Sequence, residues 1–402
     1  MHIAHVIPTY LPAKRYGGPI ESVHGLSRAL VERGHRVQVF TTNVDGLEES
    51  PVSTEEPHYL DGVEVRYAPI SPVALLRRFY YAPQLRLALS RSINAIDIVH
   101  LHSVFLWPIS AAARVSAKHR VPYLIAPRGM LDKTLLAARG NLRKRAWITL
   151  YEKRTLSRAA RIHATSELEV AKLAELGLDL APVCIVANGT DLPVLTGQVR
   201  DADHVLFLGR ITPKKGLDQL IPAMARLRHA RLTVAGPDER GYRARMEALA
   251  ADAGVAGRVK FVGRVDRRER DRLLARASVL ALPSRSENFA NAVLEAMAAG
   301  CPVLLSPHVG LARAVDKAGA GLIVEVGVEP IAKGLASILA NAVPDLGTGG
   351  LGMGGPCMGQ AGRRLVERQF TWNAVAGQME TTYTSIIEKR FLTARAQPCS
   401  TR

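Results

Sequence analysis

The chain has 402 residues and a formal net charge of +17, with 48% apolar and only 5% aromatic residues. This length exceeds the size at which a single hydrophobic core usually keeps growing, so we expect two domains of about 200 residues each. The composition excludes a mainly disordered protein, and no apolar run is long enough to cross a bilayer, so we expect a globular chain without a membrane span.

The excess of positive charge would attract polyanions, which include nucleic acid, acidic lipid surfaces and diphosphate substrates, and charge alone does not choose among them. Cysteine usage bears on the compartment. Cys184, Cys301, Cys357 and Cys399 lie far apart and show no spacing typical of zinc or redox motifs. The first residues read as a short strand rather than an export signal, so we expect a reduced, cytoplasmic setting.

Short apolar runs alternate with helical patterns along the first half of the chain. The predicted strands span 2–8, 36–40, 63–68, 96–101, 122–125 and 161–164, and the predicted helices span 20–33, 84–93, 108–118 and 141–156. This alternation predicts βα units on a parallel sheet. Right-handed crossovers would gather the loops after the strands at one edge, where ligands of such sheets bind.

A second set of the same pattern follows a polar stretch that ends near Asp203. Its predicted strands span 205–208, 231–235, 259–262, 279–282, 303–305 and 322–324, and a last helix spans 372–390. The glycine-rich segment 347–355 resembles an exposed loop. We therefore predict an α/β protein with two Rossmann-like domains whose parallel sheets face each other across a cleft. The predicted divisions are 1–195, 196–370 and a C-terminal helix and tail, 371–402, that crosses back to the first domain.

Two carboxylates flank the start of an alanine-rich helix in the second half. Glu287 lies in the entry loop and Glu295 eight positions later, before a Gly300-Cys301-Pro302 stop. A rise of ~1.5 Å per residue would separate them by roughly 12 Å, about the reach of a nucleotide sugar. The helix N-terminus between them offers N–H donors and the positive end of the helix dipole to a diphosphate. Two solvated acids on a surface helix are the alternative.

Cationic and glycine-rich segments follow several predicted strands. Arg210 and Lys215 follow the first strand of the second set, far enough apart to straddle one diphosphate as a fork and a point charge. Arg15 precedes Gly17 and Gly18, whose place between strand and helix would let backbone approach a phosphate. Arg128 follows another strand and would lie on the acceptor or phosphate side, or pair with an internal acid.

Two histidines, His100 and His102, end the strand predicted over 96–101, and their spacing places them on the same face. A zinc pair is imaginable, but the sequence shows no third ligand nearby, which favours substrate contact over metal. A core histidine bonded to backbone is the alternative for one of them, with His100 the better fit.

Taken together, these motifs resemble the retaining glycosyltransferases of the GT-B class, in the family 4 group that includes bacterial polysaccharide mannosyl-, glucosyl- and galactosyltransferases. The resemblance runs from Gly17-Gly18 to Phe370-Thr371-Trp372. Its most specific parts are Gly209-Arg210 with Lys215-Gly216, and Glu287-Asn288-Phe289 leading to Glu295.

The resemblance implies a role for each matching residue. It makes Arg210, Lys215, Glu287 and His102 the catalytic set, with the two cations on the donor diphosphate, Glu287 on sugar hydroxyls and His102 beside the reacting face. The implied donor-binding residues are Gly17, Gly18, Asn288, Phe289, Ala290, Glu295 at the ribose, and Arg264 and Val265 at the base. Ala290 departs from the glycine that this group commonly has there.

The resemblance also implies the partners. The first domain would bind a saccharide or polyprenyl-linked saccharide acceptor and the second a UDP- or GDP-linked sugar, in exopolysaccharide or surface-glycan assembly. Because Arg210 and Lys215 would neutralise the diphosphate, we expect no metal or other cofactor, and we interpret Asp201-Ala202-Asp203 as coincidental to metal-binding acids of other transferases. The basic and aromatic helix over 141–158 suits an anionic membrane surface at the cytoplasmic face, or a packed helix with a solvated rim.

Two other functions compete with this interpretation. A nucleotide-sugar epimerase on the same architecture would need a further carboxylate or base in the cleft. A basic nucleic-acid-binding protein would need aromatic stacking platforms or a recognised binding module, and neither is seen in the sequence. We therefore expect a hexosyltransferase that does not bind nucleic acid.

Overall fold

The computed structural model describes residues 1–13, 17–131, 152–195, 199–340 and 355–395. These residues form two compact units, one of Met1–Asn188 with Trp372–Arg402 and one of Gly189–Thr371. The first division thus falls after Asn188, whereas we predicted it after residue 195. Arg15, residues 141–151 of the predicted basic helix and residues 347–354 of the glycine-rich segment lie outside the described residues.

The first unit is built on an eight-stranded sheet in the order β10-β9-β8-β7-β1-β2-β6-β5, and every pair is parallel except β5 with β6. A small hairpin, β3 with β4, lies beside it. The strands are β1 His2–Thr9, β2 Arg36–Thr42, β3 Val44–Asp45, β4 Glu48–Glu49, β5 His58–Leu60, β6 Val63–Ala68, β7 Ile98–His102, β8 Tyr123–Ala126, β9 Arg161–Ala164 and β10 Val183–Ile185. Because β1 and β7 are central, their side chains are buried on both faces.

Helices cover both faces of this sheet, and one cluster of buried apolar side chains lies on each face. They are α1 Gly18–Glu32, α2 Ala74–Arg77, α3 Pro83–Ser92, α4 Trp107–Lys118, α5 Lys153–Ser157, α6 Glu167–Ala174 and the C-terminal helix Trp372–Arg395. The C-terminal helix packs on α1. Trp372 lies so close to Gly25 that a Cβ there would overlap its indole at 2.3 Å, and Arg33 bonds Glu380 at 2.6 Å.

The second unit is a six-stranded, fully parallel sheet in the order β13-β12-β11-β14-β15-β16. Its strands are β11 His204–Leu208, β12 Arg231–Ala235, β13 Val259–Gly263, β14 Val279–Leu282, β15 Val303–Leu305 and β16 Gly321–Ile323. Its helices are α7 Leu217–Met224, α8 Tyr242–Asp252, α9 Arg267–Arg276, α10 Asn291–Ala298, α11 Ala312–Ala318, α12 Val328–Ala340 and α13 Gly355–Gln369, and we label the C-terminal helix α14. The order reverses between β11 and β14, which is the point at which open α/β sheets bind ligands.

The predicted parallel elements match the structure closely. The elements that the prediction missed in the first unit are short, and they include the helices α2 and α6 as well as several strands. β10 and β5 have three residues each, and both keep side chains partly in solvent. Such strands lack the continuous apolar run by which buried parallel strands are recognised. Among the described residues, no helix is both long and apolar enough to cross a membrane.

Candidate active site

The loop after β11 carries the two cations that the sequence predicted for a diphosphate. Backbone packing fixes this loop from two sides. A Cβ on Gly236, after β12, would come within 1.9 Å of the Gly209 carbonyl oxygen. The two backbone segments therefore pass each other at a distance that only glycine permits. Gly216 has φ of +73° and precedes α7, and a Cβ there would lie 2.1 Å from the Pro283 carbonyl oxygen. Lys215 is therefore held against the segment that leads to α10.

Lys215 and Glu287 form the central contact of this site. The Lys215 ammonium donates to the Glu287 carboxylate Oε2, and both side chains are largely buried. The backbone of Glu287 is anchored as well. Its N–H donates to His308 O at 3.0 Å, and its carbonyl accepts from Gly310 N at 2.9 Å. The structure thus brings together a predicted phosphate cation and a predicted sugar-binding acid.

A second, unpredicted arginine ties the same two segments together. Arg285 donates through both terminal nitrogens to the Asp218 carboxylate at 2.7 Å, and Nη1 also donates to Pro213 O at 2.9 Å. Its backbone N–H donates to Lys214 O at 2.8 Å. The Arg285 guanidinium is among the groups that lower the pKa of Asp218, against the opposing effect of burial. Arg285 thus links the loop of Lys215 to the loop of Glu287.

Glu295 lies on α10, as predicted, and a residue of α9 pairs with its carboxylate. Arg270 Nη1 lies 3.0 Å from Glu295 Oε1, and each side chain is less than one fifth exposed. The helix α10 begins at Asn291, and the residue before it, Ala290, has φ of +77°. Alanine pays a steric cost in this left-handed conformation, which explains why glycine suits the position.

Arg210 points to a different acid from Lys215. Its Nη1 donates to Glu239 Oε2 at 3.1 Å, and two thirds of its side chain is exposed. Ile211 bridges to Asp238 beside it, so the segment after β12 supports this part of the loop. Arg210 and Lys215 share one sheet edge but hold separate carboxylates in this structure.

The predicted base-binding stretch begins where β13 ends. Gly263 has φ of +73°, and its carbonyl accepts from Gly236 N at 2.7 Å. Arg264 is exposed and Val265 is partly exposed. Asp266 then caps α9 by accepting from Glu269 N at 2.8 Å. The stretch thus lies at the carboxyl end of β13, the strand that pairs with β12.

Asn288 and Phe289 complete the predicted donor set in the loop before α10, where Phe289 is buried against Phe370.

In the first unit, Gly17 and Gly18 form the predicted turn between β1 and α1. Gly17 has φ of +55° and is the residue before the helix, and its carbonyl accepts from Ile20 N at 3.0 Å. A Cβ on Gly17 would meet no atom within 4 Å, so conformation rather than crowding requires glycine there. The turn has the form that suits an approaching phosphate.

His102 is fully buried and belongs to a histidine cluster. Its ring stacks on that of His5, and the nitrogens of His5, His100 and His102 lie within 4.8 Å of one another. The sequence showed no third ligand near this pair, but the structure supplies one, since β1 places His5 in register with His100. A residue 95 positions away in sequence gave no local signal of this contact.

The hydrogen bonds define the tautomer of each ring. A guanidinium only donates, so His102 Nδ1 accepts from Arg128 at 3.1 Å, and His102 Nε2 then donates to His5 Nδ1 at 2.8 Å. The other hydrogen-bonded pair of rings is His163 with His100. His163 Nε2 donates to Val186 O at 2.8 Å, so its Nδ1 accepts from His100 Nε2 at 3.1 Å. The positive Arg128 against this cluster opposes a divalent cation there.

Tyr383 of α14 bonds the remaining nitrogen of His100. Its hydroxyl donates to His100 Nδ1 at 2.7 Å. His100 is thus a core histidine as the alternative interpretation held, but its partners are side chains rather than backbone. Burial, followed by the charges of its neighbours, lowers the pKa of every ring of the cluster, to about 3 for His5 and about 3 for His163.

Arg128 acts within the first unit in this structure. Its Nη1 donates to Asn188 Oδ1 at 2.8 Å, while burial lowers its pKa to about 10, so it remains a cation at neutral pH. The nearby Glu169 carboxylate opposes that shift and accepts from Gly129 N at 3.1 Å. The groups that Arg128 bonds are an amide and an imidazole, whereas the alternative that we predicted was pairing with an internal acid, and the acceptor-side or phosphate-side role stays a prediction.

Asp201 also has internal partners. Its carboxylate accepts from Arg276 Nη2 at 2.9 Å, and it lies 3.8 Å from His204 Nδ1. These contacts join Asp201 to the end of α9 and to the start of β11.

The fold and this site define a class of protein: two α/β units with parallel sheets, the architecture of GT-B glycosyltransferases. Sucrose-phosphate synthase from Thermosynechococcus elongatus superposes with a TM-score of 0.75 at 23% identity, covering 96% of this chain and 99% of that one. Anabaena HepE, in complex with UDP and glucose, gives a TM-score of 0.72 at 17% identity, covering 96% and 100%.

The sequence identifies the family. Residues 17–189 match the glycosyl transferase 4-like domain, and residues 196–346 match the glycosyl transferases group 1 family. A D-inositol 3-phosphate glycosyltransferase of Frankia alni is 30% identical over 340 residues, which cover 77% of this chain and 82% of that relative. The chain belongs to the group 1 glycosyl transferases, of family 4 type, and is a transferase that uses a nucleotide sugar.

Proposed function

We propose that this enzyme transfers a hexose, with retention of anomeric configuration, from a UDP- or GDP-linked sugar to a saccharide or polyprenyl-linked saccharide. The proposed setting is exopolysaccharide or other surface-glycan assembly at the cytoplasmic face of a membrane. The observation that carries the proposal is the Lys215–Glu287 contact at the carboxyl edge of the second sheet. It joins one group suited to a diphosphate to one suited to sugar hydroxyls.

Each residue of the second unit has a distinct task in the proposed reaction. Lys215 and Arg210 bind the donor diphosphate and stabilise the charge that develops on it, while Glu287 accepts from sugar hydroxyls. Glu295 accepts from the ribose hydroxyls. Fixed cations of this kind act without reorganising during the reaction, which makes them effective in lowering the barrier.

The proposed step needs no covalent intermediate on the protein. The bond from the anomeric carbon to the diphosphate oxygen breaks as the bond to the acceptor oxygen forms on the same face. The acceptor proton passes to the departing phosphate oxygen, so the products are the glycoside and the nucleoside diphosphate. Both nitrogens of His102 are engaged with His5 and Arg128, so a proton-accepting role for this ring is not part of the proposal.

Metal independence is part of the same proposal. The two cations and the N-terminus of α10 supply the positive charge that a divalent ion would otherwise bring. Transfer should therefore continue in EDTA after the protein has been dialysed against the chelator. Activity that disappears with EDTA and returns with added Mg²⁺ or Mn²⁺ would contradict this part of the proposal.

A second acceptor class is favoured by a specific observation. The Frankia relative is named for D-inositol 3-phosphate, and it shares 30% of aligned residues with this chain. An inositol phosphate is therefore the acceptor to compare with saccharide and lipid-linked acceptors. The epimerase and nucleic-acid alternatives find no support in the family assignment.

The test starts with the donor. Thermal shifts with UDP, GDP and ADP and their sugars should identify one nucleotide, and product analysis by NMR should then give the anomeric configuration and the acceptor. Lys215→Ala, Arg210→Ala and Glu295→Ala should each reduce transfer strongly, whereas Lys333→Ala, which removes a surface ion pair on α12, should not. Full turnover in the three site variants, or isomerised sugar formed from donor alone, would overturn the proposal.

A further inference from the structure

An apolar surface protrudes from the first unit around α2. It comprises Val73, Leu75, Leu76 and Phe79, together with Leu47 of the β3–β4 hairpin. Leu47 is 89% exposed, Leu75 66% and Val73 55%. Exposures this high are those of side chains that project into solvent rather than line a groove. Contiguous exposed aliphatic side chains mark an interaction surface.

The backbone beneath this surface is well ordered by its own hydrogen bonds. Ser71 N donates to Tyr81 O at 2.8 Å, which closes the loop, and Tyr81 N donates to Leu76 O at 3.2 Å. The loop is also attached to the start of α4, because Trp107 N donates to Phe79 O at 2.9 Å and the Tyr81 and Trp107 rings lie 4.8 Å apart. The outward aliphatic side chains are therefore displayed on a fixed base.

Arg77 joins the hairpin to this loop. Its Nη2 donates to Leu47 O at 3.0 Å and to Glu48 O at 3.1 Å, and its Nη1 donates to Glu49 at 2.8 Å. Leu47 and the α2 side chains thus belong to one surface. The same contact neutralises Glu49, whose pKa is lowered chiefly by its hydrogen bond from Arg77.

The α2 side of this surface is rich in arginine, whereas the hairpin that carries Leu47 is acidic. Residues 65–96 contain five arginines and no Asp or Glu, and Arg78, Arg86 and Arg91 are exposed. The hairpin contributes three acids, of which Glu49 is paired as described. Protruding aliphatic side chains beside exposed arginines match the interface of an anionic bilayer, where acyl chains take up the former and headgroup phosphates bind the latter.

We infer that the surface formed by Leu47, Val73, Leu75, Leu76 and Phe79 inserts into the headgroup region of an anionic lipid bilayer. This deepens the proposed function, since it assigns the membrane contact to described residues of the first unit. It does not depend on which saccharide is the acceptor. This apolar surface would hold the enzyme at the bilayer, where it binds a lipid-linked acceptor.

The test measures binding to vesicles rather than transfer. The full chain is sedimented with phosphatidylcholine vesicles that contain or lack phosphatidylglycerol. We expect binding to the anionic vesicles, reduced by salt. The triple variant Val73→Ser, Leu75→Ser, Leu76→Ser should lower the partition coefficient at least about tenfold, because three aliphatic side chains no longer enter the bilayer. The variant Arg78→Gln, Arg86→Gln should weaken mainly the salt-sensitive part.

Two controls separate this inference from loss of folding and from the proposed function. Val194→Ser changes an apolar side chain that is 87% exposed in the second unit, and it should bind vesicles as the wild type does. Far-ultraviolet circular dichroism and thermal melting, which need no transferase activity, should be unchanged in the triple variant. An enzyme that fails to transfer hexose but binds vesicles in this pattern would contradict the proposed function alone.

Three results would overturn the inference. One is a wild-type chain that does not bind anionic vesicles, and another is a triple variant that binds them as well as the wild type. The third is a wild-type dimer that the triple variant converts to a monomer, which would show that a second copy covers this surface.

Discussion

Lys215 and Glu287, which are 72 positions apart in the sequence, form an ion pair within the second unit. Gly216 and Pro283 create that contact by packing backbone against backbone beside it. If Lys215 binds the donor diphosphate as proposed, a diphosphate and Glu287 compete for one ammonium group. Donor binding would then release the carboxylate to accept from sugar hydroxyls.

Glu287→Gln should separate nucleotide binding from transfer. The amide keeps the shape of the side chain but holds Lys215 less strongly, so UDP or GDP should bind as tightly as in the wild type or a few times more tightly. Transfer should fall roughly 100-fold, the range found when one preorganised polar group is removed from an active site. Titration calorimetry and steady-state kinetics measure the two quantities. Glu329→Gln, in a surface ion pair on α12, serves as the control and should change neither.

Arg270→Ala should weaken donor binding through Glu295. Arg270 Nη1 lies 3.0 Å from Glu295 Oε1, and both side chains are mostly enclosed, so removing the cation leaves a partly buried carboxylate without this partner. We expect the donor KM to rise about tenfold with a smaller change in kcat, since the effect is on binding.

The same helix provides the comparison for Arg270. Arg272→Ala removes an exposed pair with Glu269 and should leave KM unchanged. Arg270→Lys should recover part of the loss, because it restores the charge without the planar fork. Equal KM values in the Arg270→Ala and Arg272→Ala variants would rule out a positioning role for Arg270.

The buried parallel strands of both units could be predicted from sequence because they carry continuous apolar runs, and β6, β9, β12, β14 and β15 match their predicted bounds. The parallel strand β10, which is partly exposed, was missed. The positions of Lys215 after β11 and of Glu287 before α10 could be predicted because turn residues and apolar runs mark those boundaries, while the roles of both residues stay predictions. Arg270 and Arg285 could not be predicted. Arg270 lies in a run of charged residues and Arg285 stands between two serines, and the partners of both are set by tertiary packing. His5 was missed for the same reason, as only the pairing of β1 with β7 places it beside His100.

Gly216→Ala should destabilise the protein more than Gly241→Ala. Both glycines precede helices with nearly equal φ, +73° and +76°, so both substitutions carry the left-handed strain of about 1 kcal/mol. Only at Gly216 does the new Cβ meet backbone, at 2.1 Å from Pro283 O, whereas nothing lies within 4 Å at Gly241. We expect a loss of about 3 kcal/mol or more at Gly216 in chemical denaturation. Equal losses would show that the loop of Lys215 can move away from Pro283.

The stability of the protein should fall as pH is lowered through the ordinary range of histidine titration. Burial lowers the pKa of His163 from 6.5 to about 3, and Arg128 adds to the shift. Below about pH 6.5 the unfolded chain therefore binds a proton that the folded chain does not, so the free energy of unfolding falls by up to about 1.4 kcal/mol per pH unit for this group. The loss continues until the pH approaches 3, where the folded ring also protonates. In His163→Gln the amide can still donate to Val186 O, and between about pH 7.5 and about pH 5 the free energy of unfolding should fall by about 2 kcal/mol less than in the wild type. His229→Gln, which changes an exposed histidine, should keep the slope of the wild type. If both variants keep that slope, His163 does not contribute to the acid sensitivity of the fold.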